Sequence, residues 1–405
     1  MRLLWFLLLG ICSAVPKRFD NYAILRITPQ SEEALIFLRS FEKYENVEFF
    51  TPLTKVDQTA EVLLPPQYQD VFLEQQRGLD HDVDVVVAVK NVQEVIEEGV
   101  RPADKAESFD WSYFYPLEDI QSWITGLAEE YSDKVEVSNI KTYENRDLSI
   151  VKVSFNPKAT KVVFIEAGMH AREWISPAVA TYILNEIIHS TDAEIEELRN
   201  KFNWYVAPVT NPDGYVYSFE KDRMWRRTRT RLPGSDCIGI DANRNWDFHF
   251  NEDGHTSCGQ TYPGPYPFSD ICTRGLSQFL LNLPEKLQSY ISLHSFGAKI
   301  LIPYGNSTEH LDNYDEVYKI AEGAAKALEG VNGNHFEIGT ALEVMKQGKV
   351  YGSSVDWVKA EMKVPLSIAY EIKGDFFIAP KETIIPTSEE MLQSVLYAAK
   401  EAEKL

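Results

Sequence analysis

Along residues 18 to 100, short apolar runs alternate with polar breaks in the rhythm of a small folded unit. Tyr22-Ala-Ile-Leu-Arg-Ile27 and Val83-Asp-Val-Val-Val-Ala-Val89 are rich in β-branched residues and predict strands. Ser31, followed by an apolar-periodic stretch to Phe41, predicts a capped helix, and Tyr68 to Gln76 a second one. These make a small α/β or α+β unit. The polar stretch Glu97 to Asp110 follows as the best linker in the chain. Beyond it the spacing predicts a helix over Pro116 to Tyr131 and a strand over Ser149 to Ser154. Lys161 to Ala167 is almost continuously apolar, as in a central strand covered on both faces. Ser176-Pro177 predicts a helix start, with Val179, Ile183 and Ile187 on one face. Further strands are expected at Asn203 to Pro208, Ser289 to His294 and Pro365 to Glu371, and a helix from Met391 to Leu405. This second part is one α/β domain.

Composition narrows the function. A chain of 405 residues, 44% hydrophobic and 25% charged, has room for a large core beside a small unit. A net charge of −21 excludes a nucleic-acid binder, since no phosphate-neutralising face is present. The dense basic run from Arg223 to Arg231 reads, apart from any motif, as a solvated loop. At the start, Arg2 precedes the apolar run Leu3 to Ile11, and Ser13-Ala14 stands before Val15. Residues 1–14 therefore read as a signal peptide, too short to span a bilayer. The expected product is secreted and extracellular, with no membrane association. Of the four cysteines, Cys12 leaves with this segment. Cys237, Cys258 and Cys272 then predict one disulfide and one odd thiol, with the pairing open. Asn306-Ser307-Thr308 is an acceptor pattern for N-glycosylation.

Two His-x-x-Glu pairs, His170/Glu173 and His249/Glu252, could each bring an imidazole and a carboxylate to one metal ion from a single turn. No His-Glu-x-x-His motif is present. His170 directly follows a buried-type strand, where α/β folds place chemistry, whereas His249 sits in a polar stretch. His294 and Glu371 each close an apolar strand. Read alone, a strand-end histidine is more often structural, and a strand-end carboxylate either has a partner or is tuned for proton transfer.

Taken in order, His170-Ala-Arg-Glu173-Trp, Asn211-Pro-Asp-Gly214-Tyr, Arg223-Met-Trp-Arg226, Asp241-Ala-Asn-Arg244-Asn-Trp246, Leu293-His294-Ser and Tyr370-Glu371 resemble the zinc metallocarboxypeptidases of the digestive A/B type. Thr142-Tyr-Glu-Asn-Arg146, Gly264-Pro-Tyr-Pro-Phe-Ser269 and Ser354-Val-Asp-Trp357 agree with this. The resemblance implies an α/β fold: a single large domain with a mixed, twisted central sheet flanked by helices. A small α/β propeptide domain, an antiparallel sheet plus helices, precedes it. The implied division is signal peptide 1–14, inhibitory propeptide with activation linker 15–105, and catalytic domain 106–405. His170, Glu173 and His294 are implied as ligands of one zinc ion, and Glu371 as general acid/base. Arg226 would stabilise the oxyanion. Asn243 and Arg244 would grip the terminal carboxylate of a peptide or protein substrate, with Arg172 as a secondary anchor. The resemblance also favours a Cys237–Cys258 disulfide and leaves Cys272 odd.

In this family the residue before Asp356-Trp357 sorts substrates. Here it is Val355, with Leu301, Gly305 and Ala369 at matching wall positions, which implies a preference for aliphatic or aromatic C-terminal residues. Two positions depart from the family pattern. Gly348 stands where a substrate-capping tyrosine is usual, with Tyr351 nearby, and Phe296 replaces a tyrosine two residues after His294. A catalytically impaired zinc- or peptide-binding relative is the alternative these departures raise, and a processing enzyme for basic C-termini is disfavoured by Val355. Activation by a trypsin-like protease is expected at Lys105-Ala106, because Pro102 hinders cleavage after Arg101. The expected state is a monomer.

Overall fold

The computed structural model describes residues 15–78, 82–102, 109–232, 234–345, 348–374 and 376–405. The signal-type segment 1–14 and the Lys105-Ala106 bond lie outside them. The small domain runs β1 (Ala23–Pro29), α1 (Glu32–Arg39), β2 (Glu48–Phe49), β3 (Ala60–Leu64), α2 (Pro66–Arg77), β4 (Val83–Val89) and α3 (Val92–Gly99). Its sheet is antiparallel, in the order β2-β3-β1-β4. Ser31 caps α1 by accepting the Ala34 amide at 3.2 Å, and Glu32 and Glu33 follow in the first turn, where the helix dipole favours acids. Leu35, Leu38, Phe41 and Phe72 form the core beneath the sheet.

α3 runs to Gly99, so the start of the segment expected as linker is helical. Its apolar stripe carries Val92, Val95 and Ile96, which pack toward the large domain. Just beyond it the chain is tied down. Phe114 N donates to Gly99 O (2.8 Å), Arg101 N donates to Phe114 O (3.2 Å), and the Arg101 guanidinium clasps Asp119 at 2.7 and 2.9 Å.

The large domain contains α4 (Leu117–Glu130), β5 (Val135–Lys141), β6 (Asp147–Val153), β7 (Lys161–Ala167), α5 (Ile175–His189), α6 (Ala193–Lys201), β8 (Phe202–Ala207) and α7 (Pro212–Glu220). It continues with α8 (Ile271–Leu281), β9 (Lys286–Ser295), β10 (Lys299–Leu301), α9 (Tyr314–Asn332), β11 (Glu337–Gly339), α10 (Ala341–Val344), α11 (Ser354–Met362), β12 (Leu366–Ile372) and α12 (Ile384–Ala402). Its sheet is mixed, in the order β11-β10-β12-β9-β7-β8-β6-β5, with the four central strands β12, β9, β7 and β8 parallel. Period-two alternation divides the core. Val163 and Ile165 of β7 join α5, α9 and α12 on one face, while Val162 and Phe164 join α8 and α11 on the other. Among the described residues, no helix is long and apolar enough to cross a membrane.

One expected helix start is corrected. Ser176 is inside α5, which begins at Ile175 without a side-chain cap. Its hydroxyl instead accepts from Gly168 N (3.3 Å) and donates to Glu173 O (3.0 Å), bracing the turn between β7 and the helix. Disulfide Cys237–Cys258 forms, and Cys272 is free and buried in α8. Asn306 is only 8% exposed, which leaves its side chain poorly placed to carry a glycan.

Candidate active site

The parallel strands dictate where the chemistry gathers. β12 and β9 pair in register so that Glu371 lies beside His294, and β9 pairs with β7 so that Leu293 lies beside Ala167. Three strand ends therefore meet at one edge, the carboxyl edge where parallel α/β sheets place their sites. From β7 the chain turns through Gly168, whose φ of +65° puts it in the left-handed region. His170 and Glu173 occupy the two ends of the next turn, closed by Glu173 N donating to His170 O at 3.2 Å.

His170, Glu173 and His294 are all buried, and their ligand atoms converge. His170 Nδ1 is 2.8 Å from Glu173 Oε1, His294 Nδ1 is 3.0 Å from Glu173 Oε2, and the two Nδ1 atoms are 3.1 Å apart. Zinc bonds of about 2.0–2.1 Å in tetrahedral array place neighbouring ligand atoms roughly 3.3 Å apart, so the set fits zinc with little adjustment. The tautomer agrees. Asp241, which can only accept, takes the Nε2 proton of His170 at 3.1 Å and leaves Nδ1 as a lone pair facing the cluster. Burial works against charge on Glu173, but the imidazoles of His170 and His294 outweigh it and hold its pKa low.

Asp241 was not legible as a site residue in the sequence, yet it connects two functions. Its Oδ2 accepts from Nε (3.0 Å) and Nη2 (2.7 Å) of Arg226, while Oδ1 receives His170. Burial would raise its pKa, but Arg226 and His170 outweigh that and hold the carboxyl well below the usual range. Arg226 is thereby aimed at the cleft, with Nη1 3.8 Å from Glu173. Asn243 and Arg244 lie two and three residues on, in a short 3₁₀ turn capped by Asp241, and also line the cleft. Asn243 Oδ1 accepts from Ser354 N (2.9 Å), and its Nδ2 lies 3.2 Å from His294 Nε2.

The Asn211-to-Gly214 motif proves to be scaffolding. Asn211 caps α7 by accepting from Gly214 N (3.0 Å), and its Nδ2 faces the carbonyls of Met169 and Arg227 at 3.2 and 3.1 Å. It stitches the turn of His170 and Glu173 to the loop that carries Arg226. A Cβ at Gly214 would meet the Arg227 carbonyl at 2.5 Å, so glycine is required there.

Glu371 has no hydrogen-bond or ion-pair partner among the described residues, although it faces the cleft and lies within the field of Arg226 and Arg244. Burial raises its pKa to about 7, with His294 pulling the other way. Such a carboxyl can both take and return a proton near neutral pH.

The cleft has a volume of about 390 Å³. One end is apolar, where the expected base and wall positions Val355, Leu301, Gly305 and Ala369 are brought together and Val350 joins them. Gly348 and Tyr351 do not line it. Gly348 has φ +91° and open space around its would-be Cβ, so the chain turns where the family's tyrosine is usual. At the other end Arg172 lies over Phe377, 3.9 Å from guanidinium carbon to ring centre. Phe296 packs edge-on against Phe377, with ring centres 5.0 Å apart. The second pair, His249 and Glu252, bonds at 2.7 Å on an exposed loop, and among the described residues no third ligand joins it in a metal-sized group.

The small domain closes this end. Phe50 packs against Phe377 and Phe296, and Met224 and Ile378 join Phe19, Ile24 and Val92 in one buried cluster. The cleft is lined by residues of both domains.

Comparison with known proteins accords with this layout. Residues 120–394 match the zinc carboxypeptidase family and residues 25–99 the carboxypeptidase activation peptide. The chain is 37% identical to zinc carboxypeptidase A 1 of Anopheles gambiae, over 97% of this chain and 92% of that one. It is 32% identical to carboxypeptidase A2 of Rattus norvegicus, over 92% and 91% of the two chains. Among solved structures, thrombin activatable fibrinolysis inhibitor superposes with a TM-score of 0.87 at 26% identity, covering 95% of this chain and 100% of that one. The chain thus belongs to the zinc carboxypeptidases, as a zymogen with its own activation peptide folded ahead of the enzyme.

Proposed function

We propose that the activated protein releases single residues from the C-termini of peptides and proteins, with a preference for aliphatic or aromatic side chains. The observation that carries this reading is the unpaired Glu371 beside a buried His170, Glu173 and His294 triad in one cleft. These three residues would hold one zinc ion, which when bound polarises the scissile carbonyl and acidifies water. Glu371 takes a proton from the attacking water and delivers it to the departing amine. Arg226, steadied by Asp241, donates to the developing oxyanion. Asn243 and Arg244 bind the terminal carboxylate, which an internal peptide bond lacks, so cleavage stays at the chain end. Arg172 is a secondary anchor. The apolar wall of Val355, Leu301 and Ala369 suits an aliphatic or aromatic side chain, and Asp356, which also lines the cleft, has its Oδ2 engaged by Gly305 N at 3.1 Å.

The chain is read as secreted and monomeric, with the activation peptide blocking the cleft until a trypsin-like protease cuts at Lys105-Ala106. Arg101 is a poor alternative, since its guanidinium is clasped by Asp119 and Pro102 follows it. The test is a panel of peptides differing only at the C-terminal residue, offered to the trypsin-activated protein. Phe and Leu are expected to be released faster than Arg or Lys, with release stopped by a chelator and restored by zinc. Faster release of Arg or Lys would refute the preference, and an N-terminus other than Ala106 would refute the cleavage site.

A further inference from the structure

Glu166 stands near the end of β7, just ahead of the His170 turn, and is fully buried. β7 and β9 set it opposite Ser292. Its Oε1 accepts from the hydroxyls of Ser292 and, at 3.4 Å, Ser354, while its Oε2 faces Thr210 Oγ1 at 3.3 Å. Among the described residues no lysine or arginine pairs with it.

The proton count around this carboxyl fixes its state. The Thr210 hydroxyl has a single proton, yet lies 3.0 Å from Ala167 O as well as 3.3 Å from Glu166 Oε2. A proton on Oε2 satisfies both contacts: Glu166 donates to Thr210, and Thr210 donates to Ala167 O. Oε1 is then the carbonyl oxygen, with the two serine hydroxyls on its lone pairs. Burial without a cation alongside favours the same neutral form, although His294 pulls the other way.

Ser354 carries this network to the carboxylate clamp. It is the first residue of α11, and its hydroxyl reaches Glu166 while its N–H donates to Asn243 Oδ1 at 2.9 Å. Asn243 N is held in turn by Asp241 Oδ1 at 2.9 Å. An asparagine amide can show either end to a ligand, and a carboxylate can only accept. With Oδ1 taken by Ser354, the donor Nδ2 is the end left for the cleft. The reversed amide would set N–H against N–H at Ser354 and show the substrate an oxygen.

We infer that Glu166 and Ser354 are positioning residues for the terminal-carboxylate clamp. Glu166, as a neutral acid, holds Ser354 in place, and the Ser354 amide fixes the end of Asn243 that meets the substrate. The inference rests on the carboxypeptidase reading above and adds to it what orients the clamp.

The test uses the zinc enzyme obtained by trypsin treatment of the full chain. Ser354→Pro removes the N–H at a helix position that admits proline, and Ser353 before it, at φ −81° and ψ 154°, already has the extended backbone that proline requires. KM for N-acylated peptides ending in Phe, and the calorimetric Kd for hydrocinnamate, should both rise about tenfold as a charge-assisted bond is lost. kcat and zinc content should stay within about twofold, and in an Asn243→Ala background the same substitution should move KM by less than about twofold. Glu166→Leu should raise KM likewise, and Glu166→Gln, whose amide reproduces each bond of the neutral acid, should return it to within about twofold of wild type. Should Glu166→Leu not fold, Ser354→Ala drops only the hydroxyl that meets Glu166, and a KM rise of about threefold is expected.

Unmoved KM and Kd in Ser354→Pro overturn the inference. So does a loss that falls on kcat or zinc instead, or one just as large without the Asn243 amide. Glu166→Gln as impaired as Glu166→Leu would overturn the neutral acid, and an unmoved KM in Ser354→Ala would take Glu166 out of the clamp. Binding of hydrocinnamate without release from any peptide would be the separate failure of the carboxypeptidase reading.

Discussion

His170/Glu173 and His249/Glu252 share one spacing and nearly one hydrogen-bond length, 2.8 and 2.7 Å, yet they differ in everything that makes a metal site. The first pair is buried at the end of a central parallel strand. There, β9 delivers His294 and Asp241 fixes the His170 tautomer. The second lies on a loop with its side chains 45% and 51% exposed, and among the described residues no third metal ligand joins it. Two ligands at the right spacing are common in proteins. Topology supplies the third, and contacts with Asp241, Asn243 and the Ser295 amide orient His170, His294 and Glu173 in turn.

The largest expected effect separates the two pairs directly. His170→Ala should abolish both zinc retention and C-terminal release in the activated enzyme, while His249→Ala leaves both unchanged and shifts stability by within roughly 0.5 kcal/mol. Equal loss from the two variants, read by metal analysis and peptide hydrolysis, would erase the distinction drawn here.

Glu371→Gln comes next, with a fall in kcat of about 10²–10⁴-fold and zinc content preserved. This separates proton transfer from metal binding within the buried site. The associated pH profile has a definite sign. Burial raises the pKa of Glu371 to about 7, and the base must be ionised, so activity falls as pH drops through that pKa. A bound dication favours the carboxylate, which places the acid limb at or below about 7. An acid limb unchanged in Glu371→Gln would assign it to another group.

Asp241→Asn should have the smallest effect of the three. It weakens the bracing of both His170 and Arg226, and a loss of about 10–100-fold in zinc affinity or activity is expected. Titration with a zinc chelator, alongside kcat/KM, checks both branches. No change in either would reduce Asp241 to a packing role.

Much of this was legible in the sequence because the signals were local. Continuous apolar runs marked β7, β9 and β12, the Ser31 cap marked α1, and ordered motifs named the residues that gather in the cleft. What was missed depends on contacts far along the chain. β2 spans only Glu48–Phe49, and its meaning comes from pairing with β3 and from Arg172, 124 positions away. α3 went unread because its apolar stripe is narrow, its burial comes from the large domain, and its last turn runs into the polar stretch that begins at Glu97. Ser176 read as a helix cap because its sequence neighbours suit one, while its hydroxyl serves the turn of Glu173 instead. Asp241 stood in a motif without a role of its own; its contacts with His170 and Arg226 exist only after the sheet has assembled.

The most direct test of the central claim is to locate the metal. Anomalous diffraction at the zinc edge from crystals of the full chain should give one peak, within bonding distance of His170, Glu173 and His294. A peak at His249 and Glu252 with none at the buried triad would contradict the account.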